Sequence, residues 1–263
     1  MKTKSALSYF GADGAVADDL AVMLDHCSHV TIPFVGGASI LPRLKARAIV
    51  ANDLHGLVIH FYQTLAGHFG DIERRRLIER CFTTISHPRE IETAMVAVDS
   101  DIAHVRAWGF WALCWIGRKG KGGTRSAGGK PSVRFSPQGG TNATRLMSAA
   151  AALDEWAKEF QRCEFTNLDF RELLPKIRDD AKCGIYADPP WVGAGRNYLH
   201  SFGEIDHRDL SEQLRRFNEA TVVVRYGDDP FIRSLYEGWT VIEAEARDQC
   251  NAMKGEIWIT NWV

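Results

Sequence analysis

The amino-acid sequence predicts an α/β protein in which helices cover both faces of a mostly parallel sheet. Short apolar runs alternate with amphipathic stretches near both ends of the chain, which is typical of strands joined by crossover helices. Residues 69–153 between them are mostly of helical pattern, so we expect this section to form an inserted domain. The flanking segments 1–68 and 154–263 would together form the domain that carries the sheet.

Apolar spacing and turn residues place the elements in order along the chain. Helices are predicted at 13–26, 38–44, 54–68, 72–86, 88–116, 143–160, 206–217 and 230–236. Strands are predicted at 30–34, 48–51, 163–166, 184–187, 221–224, 239–243 and 256–262. We expect the last two strands to form an antiparallel hairpin that closes the sheet.

The composition is that of a compact enzyme, with 263 residues of which 45% are apolar. No uninterrupted apolar stretch is long enough to cross a bilayer, and the N-terminus lacks the layout of a signal peptide. Six cysteines are scattered without a Cys-x-x-Cys pair, and the nine histidines form no cluster with metal-ligand spacing. We therefore expect a cytoplasmic monomer with reduced thiols, no bound metal and no membrane partner.

The tetrapeptide Asp188-Pro189-Pro190-Trp191 follows an apolar run at 184–187 and should lie at the carboxyl end of a strand. Its carboxylate and the Pro189 carbonyl can accept hydrogen bonds, and its prolines stiffen the turn. The indole offers a flat apolar surface. Such a turn can hold a planar, amine-bearing ring by its edge and its face, although it can also simply end a strand.

A glycine turn follows the first predicted strand, and an acid ends the second. Pro33-Phe34-Val35-Gly36-Gly37 comes after the apolar run 30–32, and Asp53 comes just after the strand at 48–51. Glycine lets the backbone approach a ligand closely, and an acid at this position can bind the two hydroxyls of a ribose. The spacing is not the dinucleotide fingerprint, and no phosphate-binding Lys-Ser/Thr follows. The pattern therefore indicates an adenosine-containing cofactor.

Six motifs, in order, resemble those of the D12-class (Dam-type) adenine-N6 DNA methyltransferases, which use S-adenosylmethionine (SAM). They lie at 8–11, 33–39, 52–54, 167–170, 188–191 and 254–261, and they span almost the whole chain. The resemblance implies a Rossmann-like methyltransferase sheet and an inserted domain that reads the target sequence. Two residues depart from the family pattern: Asp13 stands where Lys is usual, and Trp191 stands where Tyr is usual.

The resemblance also assigns roles to residues. The catalytic motif would comprise Asp188, Pro189, Pro190 and Trp191. The residues that would line SAM are Tyr9, Phe10, Gly11, Pro33, Phe34, Gly36, Gly37, Asp53, Asp169 and Phe170. Among them, Asp53 would bind the ribose, and Asp169 with Phe170 would hold the adenine of the cofactor. Either acid, taken alone, serves equally well as a helix cap or a turn residue.

The implied reaction is direct transfer of a methyl group from the sulfonium sulfur to the exocyclic amine of a flipped-out adenine. Asp188 would accept one N–H of that amine and the Pro189 carbonyl the other. This arrangement favours a pyramidal nitrogen whose lone pair faces the methyl group. Positioning and electrostatics would supply most of the rate enhancement, so an ionised carboxylate suits the role.

Positive charge is concentrated in one segment, although the net charge of the chain is −1. Residues 102–153 contain no Asp or Glu and eight Lys or Arg. The basic residues that we expect to contact double-stranded DNA are Arg118, Lys119, Lys121, Arg125, Lys130 and Arg134. The alternative is a solvated loop without a partner. Trp108, Trp111 and Trp115 are spaced as one helix face, which favours a place in the core for them.

The main prediction is a site-specific, SAM-dependent DNA methyltransferase of a prokaryote or phage, acting in restriction-modification or alone. One alternative is the same chemistry on RNA or on cytosine N4. A second is a non-catalytic homologue that binds nucleic acid, which Asp13 keeps open. A third is a small-molecule methyltransferase, for which the basic segment would have no obvious purpose.

Overall fold

A computed structural model of the protein describes residues 5–9, 16–117, 141–193, 200–247 and 253–262, without the side chains of 245–247 and 253–254. Three residues of the N-terminal motif region, Phe10, Gly11 and Asp13, lie outside these ranges. So do the six basic residues predicted to contact DNA, Arg118, Lys119, Lys121, Arg125, Lys130 and Arg134.

Seven strands form a sheet with the order β3-β2-β1-β4-β5-β7-β6. They are β1 His29–Ile32, β2 Ala48–Asn52, β3 Cys163–Thr166, β4 Cys183–Ala187, β5 Thr221–Gly227, β6 Thr240–Arg247 and β7 Met253–Thr260. β1 pairs in parallel with β2 and β4, and β4 pairs in parallel with β5. β7 runs antiparallel to both β5 and β6. The predicted α/β class, with a mostly parallel sheet and a closing hairpin, is confirmed.

The described residues contain ten α-helices and two 3-10 turns, Leu41–Arg43 and Leu174–Lys176. The first five helices are α1 Ala17–Val22, α2 Gly56–Ala66, α3 Asp71–Phe82, α4 Pro88–Ala97 and α5 Ala103–Ile116. The others are α6 Asn142–Ala151, α7 Leu153–Phe160, α8 Phe170–Leu173, α9 Glu204–Leu214 and α10 Pro230–Leu235.

Three predicted helices were wrong in extent. The helix expected at 143–160 is divided at Ala152 into α6 and α7. The helix expected at 38–44 is only a 3-10 turn, because Ala38 has a left-handed backbone with φ 57° and so cannot begin an α-helix. The helix expected at 88–116 is broken between α4 and α5. There the Ser100 hydroxyl accepts a hydrogen bond from the Ile102 N–H at 3.1 Å, which gives the backbone a partner outside a helix.

The chain forms two compact units. The first, called here the helical unit, comprises Met1–Gly14, Gly36–Pro42 and His55–Phe165. The second, called the sheet unit, comprises Ala15–Val35, Arg43–Leu54 and Thr166–Val263. These boundaries differ from those of the inserted domain predicted at 69–153, and the DNA-reading role of that segment stays a prediction.

Helix α5 is the centre of the helical unit, where it packs against α2, α3 and α4. Trp108 and Trp111 are buried in it, so their predicted place in the core is confirmed, whereas Trp115 is only half-buried. The Trp108 indole N–H donates to the Thr84 hydroxyl at 2.7 Å. Gly109 permits a close approach of α4, since a Cβ there would lie 2.9 Å from the Ala94 carbonyl oxygen.

The core of the sheet unit is built from the apolar strands β4, β5 and β7 together with α9 and α10. β4 and β5 are buried along almost their whole length, which is why their sequences read as mostly continuous apolar runs rather than as alternating ones. Members of this core include Ile185, Leu210, Val224, Tyr226 and Ile257, all buried. This packing holds the ends of β4 and β5 in place beside each other.

Candidate functional site

The predicted site residues of the sheet unit follow the carboxyl ends of its strands. Pro33 comes directly after β1, Asp53 after β2 and Asp188 after β4, while Asp169 comes three residues after the end of β3. β1 lies between β2 and β4, so the chain turns to opposite sides of β1 on its way to these two neighbours. In open α/β sheets, ligands bind outside the carboxyl ends of the strands at such a switch point.

The Asn52 side chain links the segments at the ends of β1, β2 and β3 by hydrogen bonds. Its Nδ2 donates to the carbonyl oxygens of Pro33 and Leu168, both at 2.9 Å. Its Oδ1 accepts from the Leu168 N–H at 2.9 Å and from the Thr166 hydroxyl at 2.8 Å. A single buried amide therefore sets the positions of the segments that carry Phe34, on one side, and Asp169, on the other.

The two acids predicted to hold the cofactor differ in their surroundings. Asp53 is half-buried, and its carbonyl oxygen accepts a hydrogen bond from Asn167 at 2.6 Å. Asp169 caps helix α8, because its Oδ1 accepts from the Arg171 N–H at 2.8 Å. The Arg171 guanidinium lies 3.4 Å from the same carboxylate. The capping role of Asp169 is thus present, and its role toward a cofactor stays a prediction.

Three phenylalanines form an aromatic cluster at this end of the sheet. The ring centroid of Phe34 lies 5.8 Å from that of Phe170 and 5.8 Å from that of Phe202. Phe170 and Phe202 are 5.9 Å apart. Phe170 is buried, whereas Phe34 and Phe202 are half-buried and leave part of their rings accessible. Sequence reasoning named Phe34 and Phe170 and missed Phe202, which follows the Asp188–Trp191 turn in the chain.

The remaining predicted cofactor residues that the structure describes belong to the helical unit. Gly36 has a left-handed backbone with φ 44°, and the Tyr9 ring lies 3.4 Å from the position that a Cβ on Gly36 would take. The Tyr62 hydroxyl donates to the Gly36 carbonyl. Gly37 is buried next to it. A side chain at Gly36 is disfavoured both by its conformation and by Tyr9, and the cofactor role of this turn stays a prediction.

The Asp188 carboxylate at the end of β4 is held by a buried arginine of β5. Arg225 Nη1 donates to Asp188 Oδ2 at 3.1 Å. The same guanidinium forms a two-bond pair with Glu256 of β7, from Nε to Oε1 at 2.8 Å and from Nη2 to Oε2 at 2.7 Å. The side chain of Arg225 is 4% exposed and that of Glu256 is fully buried, while Asp188 keeps 22% of its surface accessible.

Trp191 completes this arrangement. Its indole N–H points to Asp188 Oδ1 at 3.4 Å, a long contact that leaves this oxygen weakly satisfied. Its six-membered ring rests on Gly227, where a Cβ would come within 2.7 Å of Cε3. The Arg225 guanidinium carbon lies 5.5 Å from the ring. Pro189 is buried, and Pro190 and Trp191 are half-buried.

The charges of this cluster are strongly coupled. Burial raises the pKa of the Asp188 carboxyl, the positive charge of Arg225 opposes that increase, and the negative charge of Glu256 adds to it. Burial by itself would lower the pKa of Arg225, but Asp188 and Glu256 outweigh it, so the pKa of Arg225 is raised and the group stays protonated. Two carboxylates therefore share one permanent cation.

Sequence reasoning missed Arg225, and it named Glu256 only as part of a strand motif. A signal for both was present. Arg225 interrupts the apolar run of β5, and Glu256 directly precedes the apolar residues at 257–259 of β7. A charged side chain in a strand that is buried on both faces is rare unless it is paired, so opposite charges in two such strands predict a buried ion pair.

The fold and the site together define an α/β protein with a doubly wound sheet and a carboxylate at its switch point. The chain matches no protein-family model, and no curated protein shows significant sequence similarity to it. In the described ranges, no helix is both long and apolar enough to cross a membrane. No group of three or more His, Cys, Asp or Glu among the described residues could hold a metal ion.

Proposed function

We propose that the protein is a SAM-dependent methyltransferase that methylates the N6 amine of adenine in double-stranded DNA. The observation that carries the proposal is the position of the Asp188-Pro189-Pro190-Trp191 turn. It follows β4 beside the switch point. Arg225 holds Oδ2 of the Asp188 carboxylate, and 22% of the surface of this side chain stays accessible. The order of the six sequence motifs supports the same function.

The strand order supports a methyltransferase sheet. Strands β1 to β6 follow the doubly wound order 3-2-1-4-5-6 that is typical of nucleotide-binding folds. β7 lies antiparallel between β5 and β6, as in the closing hairpin that the sequence pattern predicts. Nucleotide binding in such sheets takes place where Pro33, Asp53 and Asp188 lie.

The residues of the sheet unit fit the chemistry of SAM. The half-buried Asp53 offers a carboxylate to the ribose hydroxyls, and the accessible rings of Phe34 and Phe202 offer an apolar surface to the adenine. Asp188, Arg225 and Glu256 carry a summed charge of −1, from two carboxylates and one guanidinium, which suits a neighbouring sulfonium cation. When bound, SAM supplies an activated methyl group.

The protein's own contribution to the reaction is to hold the amine. An exocyclic adenine amine is a poor nucleophile, because its lone pair is delocalised into the ring. Asp188 Oδ1 accepts a hydrogen bond from one N–H of the amine and the Pro189 carbonyl from the other, which favours a nitrogen with a localised lone pair. As the carbon–nitrogen bond forms, the carbon–sulfur bond breaks and the thioether leaves, and the proton that the nitrogen loses passes by way of the partly exposed Asp188 to solvent. Trp191 covers the ring and keeps water away from it, so the gain comes from orientation and electrostatics.

A nucleic-acid substrate is supported by the charge distribution of the sequence. Residues 102–153 carry eight Lys or Arg and no acid, although the whole chain has a net charge of −1. Such a segment neutralises phosphates and makes binding fall with increasing salt. The target base must leave the duplex to meet the partly buried carboxylate of Asp188.

The test is transfer of labelled methyl from SAM to unmethylated duplex DNA, followed by nucleoside analysis. We expect N6-methyladenine with the wild-type protein. Asp188→Asn should lower the rate by about 100-fold or more, since it replaces the charged acceptor by an amide of the same shape. SAM binding and thermal unfolding of the variant serve as controls for its folding.

The other outcomes are informative. Label on cytosine would assign methylation of cytosine N4 in place of adenine N6. Label on RNA in place of DNA would assign an RNA methyltransferase. Stoichiometric SAM binding without transfer to any nucleic acid would favour a non-catalytic binding protein. An Asp188→Asn variant that retains the wild-type rate would show that the assigned mechanism is wrong.

A further inference from the structure

Arg225 makes more contacts than a structural ion pair requires. A guanidinium has five N–H donors, and the pair with Glu256 uses two of them, on Nε and Nη2. The third nitrogen, Nη1, is aimed at Asp188 Oδ2. Glu256 is itself fixed by the Trp258 indole N–H, which donates to Oε1 at 2.7 Å. The chain of contacts therefore runs from β7 through β5 to the end of β4.

Stability alone does not account for this chain of charges. Burying an ion pair costs desolvation energy that the attraction of the two charges often only offsets, and apolar replacements of similar volume are often no less stable. A cation that is 4% exposed and lies between two carboxylates nevertheless has one rigid position. What it provides is a fixed location and a fixed charge for Asp188.

We propose that Arg225 is a positioning residue that holds Asp188 by Oδ2, keeps it ionised and leaves Oδ1 as the acceptor for the substrate amine. Glu256 is the residue that orients Arg225. The inference rests on the proposed function for the identity of the substrate. The positioning itself is a property of the protein without substrate, and it can be measured there.

The groups around Asp188 make the effect of Arg225 on ionisation clear. Glu256 from β7, and Tyr186 and Tyr226 from β4 and β5, are acidic groups that interact with Asp188. Arg225 supplies the positive charge among these described groups. Without it, a desolvated carboxylate would face a second carboxylate, and the pKa of Asp188 would rise further above its ordinary value.

The first experiment uses the full-length protein and the double variant Arg225→Met/Glu256→Gln. This variant removes both charges of the buried pair at similar volume, so it avoids the unpaired charge that either single change to an apolar residue would leave. The side-chain carboxyl carbons of ¹³C-labelled aspartates are titrated by NMR, with Asp188→Asn to assign the signal. In the double variant the loss of Arg225 raises the pKa of Asp188, and the loss of Glu256 lowers it. Because Arg225 contacts the carboxylate directly at 3.1 Å, its loss outweighs that of Glu256, and we expect a net rise of about 1 unit.

The second experiment measures methyl transfer against pH. In the double variant the acid limb of kcat should move to higher pH, with kcat at neutral pH lowered by about 10-fold or more and the KM for SAM little changed. Arg225→Lys keeps the charge but loses the two-bond geometry. It should bring the acid limb back toward the wild-type position while kcat stays low.

The two experiments separate the inference from the proposed function. A folded double variant whose Asp188 titrates as in the wild type, with an unchanged acid limb, would overturn the positioning role even if methyl transfer is confirmed. A raised pKa in the double variant of a protein that transfers no methyl group would support the positioning role and refute the proposed reaction.

Discussion

Replacement of Asn52 by Ala tests the account of how the ends of β1, β2 and β3 are held at the site. The side chain is 1% exposed and takes part in four hydrogen bonds, each between 2.8 and 2.9 Å. Alanine removes all four at once. It also leaves the Leu168 N–H and the carbonyls of Pro33 and Leu168 without this partner in a region with little access to water.

The expected magnitude follows from those contacts. Each hydrogen bond contributes about 1 kcal/mol net, and a buried polar group left unsatisfied costs about 1 to 3 kcal/mol. Some of these groups are only partly buried, so water replaces part of the loss. We expect Asn52→Ala to lower the free energy of unfolding by about 3 to 5 kcal/mol. Thr166→Val removes one of the four bonds with little change of shape and should cost about 1 kcal/mol.

The assay is urea unfolding followed by circular dichroism and tryptophan fluorescence, with the free energy obtained by linear extrapolation. Agreement of the two signals checks that one transition is measured. The reasoning would be refuted by an Asn52→Ala variant that is destabilised no more than Thr166→Val. That result would mean that water or a backbone shift satisfies the groups that Asn52 now binds.

Two further predictions concern the same unit. Gly227→Ala should displace Trp191, because the new Cβ would lie 2.7 Å from its ring; we expect a cost of about 1 to 3 kcal/mol and altered tryptophan emission, and an unchanged spectrum would contradict the contact. Burial acts to raise the pKa of Asp179, but three backbone N–H donors at 218–220 outweigh it and lower that pKa. The Asp179 carboxylate therefore stabilises the folded state above its unfolded-state pKa, and this stabilisation is lost as the pH falls through its folded-state pKa. When the pH is lowered from about 7 to about 3, near the unfolded-state pKa of Asp, the melting temperature of Asp179→Asn should fall less than that of the wild type. Parallel curves of melting temperature against pH for the two proteins would refute this.

Local sequence patterns were sufficient to predict an element where burial determines which residue types it contains. The apolar runs at 184–187 and 221–224 predicted β4 and β5, because strands covered on both sides need apolar residues at every position. The spacing of Trp108 and Trp111 predicted a core-facing helix for the same reason. The apolar runs at 48–51 and 184–187 also predicted that Asp53 and Asp188 would follow the ends of strands.

Local patterns failed where a backbone conformation or a long-range contact decided the outcome. The left-handed backbone of Ala38 stopped a helix that its apolar spacing predicted, since nothing in an alanine signals a positive φ. Asp169 accepts a hydrogen bond from the Arg171 N–H and so caps helix α8. The sequence motif alone does not distinguish this capping role from contact with a ligand.

The sequence by itself determined the alternation of strands and helices, the closing hairpin and the residues that stand at the carboxyl ends of the strands. Only the tertiary structure decided what surrounds Asp188. Arg225 and Glu256 are 31 residues apart, and their pairing exists because β5 and β7 are neighbours in the sheet. Strand order and register are properties of the whole packed sheet, so a contact across strands cannot be read from the residues on either side of it.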